Sequence, residues 1–202
     1  MHAGAGVYRP TVDNDLCESW REEAKRICNT GKTDLDPGET QRNFNKRFYN
    51  NLNNRNPGMA NQFDPEILVG VQQGGTLTVL EQAAANPSAA FHAEANALIL
   101  TWVGLGCQYL EGGIGGKGMC SALNQRVKGL FGAGASPIHA DGMLRDGTAV
   151  EIKGPGDKPG DGQFDKEQKC AKNGKLLVID GKACDPNNEI LTPSGGCPKG
   201  KK

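Results

Sequence analysis

No stretch of about eighteen consecutive apolar residues occurs in the chain, so no segment reads as a transmembrane helix. Met1-His2-Ala3-Gly4-Ala5-Gly6 lacks the apolar centre of a secretory signal, and its small residues read as the start of a piece cut from something longer. Histidine is scarce. With only His2, His92 and His139, a three-histidine zinc site would have to recruit the N-terminal tail. The seven cysteines, at 17, 28, 107, 120, 170, 184 and 197, include no Cys-x-x-Cys pair, which argues against a zinc ribbon. Aromatic residues make up 5% of the chain, too few for a protein that grips single strands mainly by stacking on bases. Net charge is also missing. Lys plus Arg and Asp plus Glu number 23 each, so no global field draws in a polyanion, and a nucleic-acid contact would rest on local basic surface or on metal charge. There is no Gly-x-Ser-x-Gly nucleophile elbow, and a cysteine hydrolase pairing Cys107 or Cys120 with His92 has no signature beyond the residue types. The run Gly112-Gly113-Ile114-Gly115-Gly116-Lys117-Gly118 fails as a phosphate loop. Its first glycine is misplaced by one position, and Gly118 stands where Ser or Thr is required, so it reads as a flexible connection.

What is present suits one compact domain with an extra lobe: 202 residues, 37% of them hydrophobic. Residues 13–27 read as a helix with Leu16, Trp20, Ala24 and Ile27 on one side, and 39–52 as another with Phe44, Phe48 and Leu52 recurring every fourth position. Helices are also expected over 76–85, over 88–102 behind the start signal Pro87-Ser88, and over 121–131, where Leu123, Val127 and Leu130 are the expected buried positions. Residues 163–171 read as a helix and 175–181 as a buried strand ending in a turn, whereas the Pro, Gly and Lys content after Asp185 reads as a partly disordered tail. Nearest-neighbour disulfides would join Cys17 with Cys28, Cys107 with Cys120 and Cys170 with Cys184, leaving Cys197 over; reduced thiols are equally consistent with the sequence. The first pair requires a broken helix, since eleven helical residues span roughly 16 Å.

The densest chemistry lies between residues 139 and 163. A three-residue loop, Arg145-Asp146-Gly147 with glycine left-handed, sets Asp141 across from Glu151, whereas a two-residue Asp146-Gly147 turn would set it across from Ile152. The three-residue loop is the expectation. It gives His139, Asp141 and Met143 a common face with Ala149, Glu151 and Lys153, and leaves Ile138, Leu144, Val150 and Ile152 on the other. Such alternation is also the ordinary pattern of an edge hairpin with one solvated side. Two carboxylates beside an ammonium are what metal-dependent phosphodiester hydrolysis needs, because hard oxygens hold Mg²⁺ and the ammonium stabilises charge on the attacked phosphate. His139 would serve as a proton relay, or as a solvated or supporting residue.

Asp141-Gly142, a short hairpin, then Glu151-Ile152-Lys153-Gly154-Pro155-Gly156-Asp157-Lys158 and Gln163 resemble the VRR-Nuc branch of the PD-(D/E)xK nucleases. The resemblance implies a mixed α/β (α+β) fold: a restriction-endonuclease-like αβββαβ core over 88–185, an N-terminal helical accessory lobe over 1–87 and a tail over 186–202. It also implies that Asp141, Glu151 and the Ile152 carbonyl bind Mg²⁺ or Mn²⁺, that Lys153 assists attack by water, and that Gln163 sits near the metal. Family members commonly add an acid from a preceding helix. Glu94, at the edge of the apolar stripe of Phe91, Ala95, Leu98 and Trp102, is the candidate, the alternative being a rim carboxylate that reaches solvent or a neighbouring base. Ala140 stands where many members carry proline, and Pro159-Gly160-Asp161-Gly162 replaces their usual helix start. The implied activity is Mg²⁺-dependent endonucleolytic cleavage of DNA. With the accessory lobe, the chain also resembles toxin domains that bacteria deliver to competitors, by type VI secretion for example. That implies a secreted effector acting in the target-cell cytoplasm and a cognate immunity protein as partner. The alternatives are a housekeeping endonuclease acting on branched or recombining DNA, and a non-catalytic binding protein that keeps the nuclease fold.

Overall fold

The computed structural model describes residues 13–30, 37–80, 82, 93, 125–160 and 162–198. Apart from Ala93, the expected helix over 88–102, with His92 and Glu94, lies outside them, as do Leu123, Cys107 and Cys120. The elements are α1 (Asn14–Thr30), α2 (Pro37–Arg55), α3 (Pro57–Ala60), β1 (Phe63–Gln73), β2 (Thr76–Val79), β3 (Ala135–Leu144), β4 (Ala149–Ile152), α4 (Gln163–Cys170), β5 (Leu176–Ile179) and α5 (Gly181–Cys184), with a further helical stretch over 125–131. Backbone pairing joins the strands in the order β2-β1-β3-β4-β5. The β1–β2, β1–β3 and β3–β4 pairs are antiparallel. Along β4 and β5 the bonds Ala149 N–H to Lys175 O and Lys153 N–H to Ile179 O advance in the same direction, which makes that pair parallel. The fold is mixed α and β around a mostly antiparallel open sheet.

Two compact units divide the described residues, one drawn from 1–62, 151–161 and 177–202, the other from 63–150 and 162–176. Their segments interleave along the chain. In the first unit, Asp13 opens α1 by accepting the Asp15 N–H at 2.8 Å. The four-residue rhythm then buries Leu16, Trp20, Ala24 and Ile27 as expected. Phe44, Phe48 and Leu52 of α2 are fully buried, and the Trp20 and Phe44 rings meet edge-to-face at 6.0 Å. Disulfides join Cys17 to Cys184 and Cys28 to Cys197. The expected Cys17–Cys28 pair does not form because α1 is unbroken, and an eleven-residue spacing on a helix returns both cysteines to one face, where the C-terminal segment meets them and takes Cys184 from the expected Cys170. That segment is no loose tail. The buried Asp185 carboxylate accepts the N–H groups of Glu189, Ile190 and Leu191 at 2.9, 3.0 and 2.9 Å, and Ile190 and Leu191 are buried.

The second unit corrects two helix expectations. Residues 76–79 form β2, not the start of a helix, because the Gly74-Gly75 turn, with Gly74 at φ +56°, folds β-branched Thr76, Thr78 and Val79 back onto β1. In the stretch 125–131, Val127 is buried as expected, but Leu130 is exposed. Gly70 lies at the irregularity in the β1–β3 ladder and lets α4 approach, since a Cβ there would overlap Cys170 Sγ and stand 3.0 Å from the Thr78 carbonyl. Gly70→Ala is therefore expected to destabilise by about 1–3 kcal/mol through overpacking, and Cys170→Ala in the same chain to relieve most of that. Urea midpoints of the wild type and the two variants check this; an unrelieved double variant would place the strain elsewhere. Cys170 itself is buried and reduced, and burial, with Glu167 adding to it, pushes its thiol up to about 11, so it is chemically inert.

Candidate active site

Turn chemistry fixes the β3–β4 hairpin. Leu144 N–H donates to the Thr148 carbonyl and Gly147 N–H to the Leu144 carbonyl, enclosing the three-residue loop Arg145-Asp146-Gly147 with Gly147 at φ +87°. A Cβ on Gly147 would also press into the Lys172 side chain at 2.7 Å. Asp146 braces the loop by accepting the Thr148 N–H at 2.9 Å and hydroxyl at 3.0 Å, and these bonds hold its carboxyl below the usual carboxylate range. The resulting register pairs Gly142 with Val150 and Met143 with Ala149, the register expected for this loop.

One expectation about the hairpin is corrected. It has no solvated face along β4, where Ala149, Val150, Glu151 and Ile152 are all buried, because β4 is an interior strand rather than an edge. Glu151 is only 3% exposed and Lys153 only 9%. Lys153 Nζ lies 2.7 Å from Glu151 Oε1 and 3.5 Å from Asp157 Oδ2, so one ammonium is shared by two carboxylates. The lysine backbone is held on both sides. Its N–H donates to the Ile179 carbonyl at 2.9 Å, and its carbonyl accepts the buried Trp20 indole N–H at 2.8 Å. Swapping such a buried pair for packed apolar residues is commonly neutral or favourable to stability, so stability alone gives little reason to keep it. Glu23 is a contrasting buried acid: Arg26 Nε reaches both its oxygens, at 2.9 and 2.8 Å, in a fork that ties down one helix face.

In the other unit, Asp141 lies half-buried on β3 beside buried Ala140 and Gly142. His139, two positions earlier, has its ring desolvated, which lowers its pKa to about 4, so the imidazole is neutral at pH 7. The sign follows directly. Its folded pKa lies below the unfolded value of about 6.5, so its contribution to stability is complete above pH 6.5 and is lost as the pH falls toward 4, on the order of 3 kcal/mol in all. NMR titration and denaturant melts of the wild type and His139→Gln from pH 4 to 7 check this; a folded-state pKa near 6.5 would contradict it. Gln163 is the first residue of α4, and its amide donates to Glu167 Oε1 at 2.8 Å one turn on, Glu167 being 1% exposed.

The described contacts thus gather Glu151 and Lys153, and separately engage Gln163. Three residues with a place beside them were not anticipated. Asp157 and Glu167 each stand four positions from an expected residue, a spacing that could have marked both, but Trp20 is 133 residues from Lys153 and no local pattern reveals it. Among the described residues, no three His, Cys, Asp or Glu side chains form a metal-holding group. Among the described residues, too, no helix is long and apolar enough to cross a membrane. Comparison with protein-family models, curated proteins and solved structures finds no match for this chain.

Proposed function

We propose that the chain is a metal-dependent nuclease that hydrolyses phosphodiester bonds of DNA on a restriction-endonuclease-like core, with Asp141, Glu151 and Lys153 at its centre. The buried Glu151–Lys153 pair at the end of β4 carries the reading, because an acid and an amine desolvated together on an interior strand are retained more readily for chemistry than for stability. The hairpin register is consistent with it, being the one expected for a three-residue loop. Asp141, Glu151 and the Ile152 carbonyl would offer hard-oxygen donors of the kind Mg²⁺ or Mn²⁺ takes, with Glu94 as the further candidate ligand. When bound, the ion would supply Lewis-acid charge stabilisation and a more acidic water. Lys153 would hold the attacking water and offset charge on the phosphate, with Gln163 as a supporting candidate.

Two disulfides support a protein that passes through an oxidising compartment, and so favour a secreted antibacterial toxin domain, with a cognate immunity protein, over a housekeeping endonuclease. The test is incubation of supercoiled plasmid with the protein in Mg²⁺ or Mn²⁺, with EDTA and Glu151→Gln as controls. Nicking by the wild type alone, and only with metal, is the expected result; equal nicking by both proteins, or none by either, removes the assignment.

A further inference from the structure

We infer that Asp157 is a positioning residue for the Lys153 ammonium, a role that rests on the nuclease reading above. Among the described residues, two carboxylates lie within reach of Lys153, at 2.7 Å on Glu151 and 3.5 Å on Asp157. They differ in setting. Glu151 is buried on an interior strand and is a metal ligand in the proposed reaction, so whatever charge it shares with a cation it shares less with the lysine. Asp157 is an exposed residue in the loop after β4, so it can hold the amine without competing for the ion.

The loop is built to present it. Gly154-Pro155-Gly156-Asp157 forms a tight turn, closed by the Asp157 N–H donating to the Gly154 carbonyl at 3.1 Å, with Gly156 at φ +78°, a conformation that favours glycine. The turn is tethered at its tip: Gly156 N–H donates to the Gly195 carbonyl at 2.8 Å, two residues before Cys197, which is bonded to Cys28 of α1. At the base of the loop, Trp20 of the same helix holds the Lys153 carbonyl. The lysine backbone and the carboxylate that steers its amine are therefore both anchored to α1, one directly and one through a disulfide. With Glu151 engaged by a cation, Asp157 would be the carboxylate left to hold the ammonium.

Asp157→Asn tests this, because a solvent-facing loop residue can be changed without disturbing the core. The expected result is a roughly 10- to 100-fold fall in kcat for plasmid cleavage with KM for DNA and the melting temperature unchanged, and recovery of most of the activity in Asp157→Glu. A second measurement needs no reaction: in the metal-free protein the ¹⁵Nζ resonance of Lys153, slowed in hydrogen exchange by its two carboxylates, is expected to broaden in Asp157→Asn. If the wild type cleaves DNA and either Asp157→Asn matches it in kcat or the Nζ signal is the same in both, Asp157 does not position the lysine and the nuclease reading stands. If the wild type cleaves nothing in either metal, the nuclease reading falls and takes this role with it.

Discussion

Plasmid nicking is expected to fall by about 100- to 1000-fold in Lys153→Ala, the scale of loss seen when one preorganised charge-stabilising group is removed from an active site. That variant is also expected to be less stable. Reading the lysine as a residue on an open polar face would make the substitution neutral to folding, but Lys153 is 9% exposed and 2.7 Å from a Glu151 that is 3% exposed. Removing one partner strands the other charge, at a cost of about 3–5 kcal/mol. Removing both does not. Glu151→Gln combined with Lys153→Met keeps the approximate volume, discards both charges and is expected to restore most of the stability while remaining inactive. Urea melts run beside the cleavage assay separate the two effects, and an inactive but stable double variant is the signature of a pair kept for chemistry. A double variant as unstable as the single one would show that the pair supports the fold.

Reduction of the two disulfides is expected to have the largest effect on stability. Cys17 and Cys184 are 167 residues apart, and closing a loop of that length constrains the unfolded chain by about 5 kcal/mol in the chain-entropy limit. Cys28–Cys197 then closes a much smaller loop between the same two segments and adds about 3 kcal/mol. Together they should shift Tm by at least about 10 °C in a chain of this size. The order of opening is also defined. Cys17 and Cys184 are buried whereas Cys28 and Cys197 are partly exposed, so mild reductant is expected to open Cys28–Cys197 first. Melting with and without dithiothreitol, together with thiol counting by mass spectrometry, checks both points. A reduced protein that melts with the oxidised one would remove the brace proposed for the lysine loop.

What the sequence reveals and hides follows from the range of each signal. Helical periodicity is local, and it places the buried faces of α1 and α2 residue by residue: Leu16, Trp20, Ala24 and Ile27, then Phe44, Phe48 and Leu52. Turn chemistry is equally local, so Asp146-Gly147 reveals a hairpin and Gly147 its three-residue loop. The failures need distant partners. Residues 76–79 carry a tolerable helical pattern, and only pairing with β1 across Gly74-Gly75 makes them a strand. Cys184 and Cys197 meet α1 across more than 160 residues, a relation that nearest-neighbour spacing cannot express. The tail looked loose because its stabilisation comes from one buried carboxylate, Asp185, and a disulfide rather than from an apolar stripe. In the candidate hairpin, the three-residue loop and its register were legible. Burial of the Glu151–Lys153 pair was not, because a hairpin alone does not disclose that β5 lies beside β4.

Soaking crystals with Mn²⁺ and measuring anomalous scattering at the manganese edge addresses the metal site most directly. The expected result is one strong peak within about 2.5 Å of carboxylate oxygens of both Asp141 and Glu151, with the Ile152 carbonyl as a further ligand and the Lys153 amine turned toward Asp157. Manganese bound elsewhere, or none at a concentration that supports plasmid nicking, would contradict it.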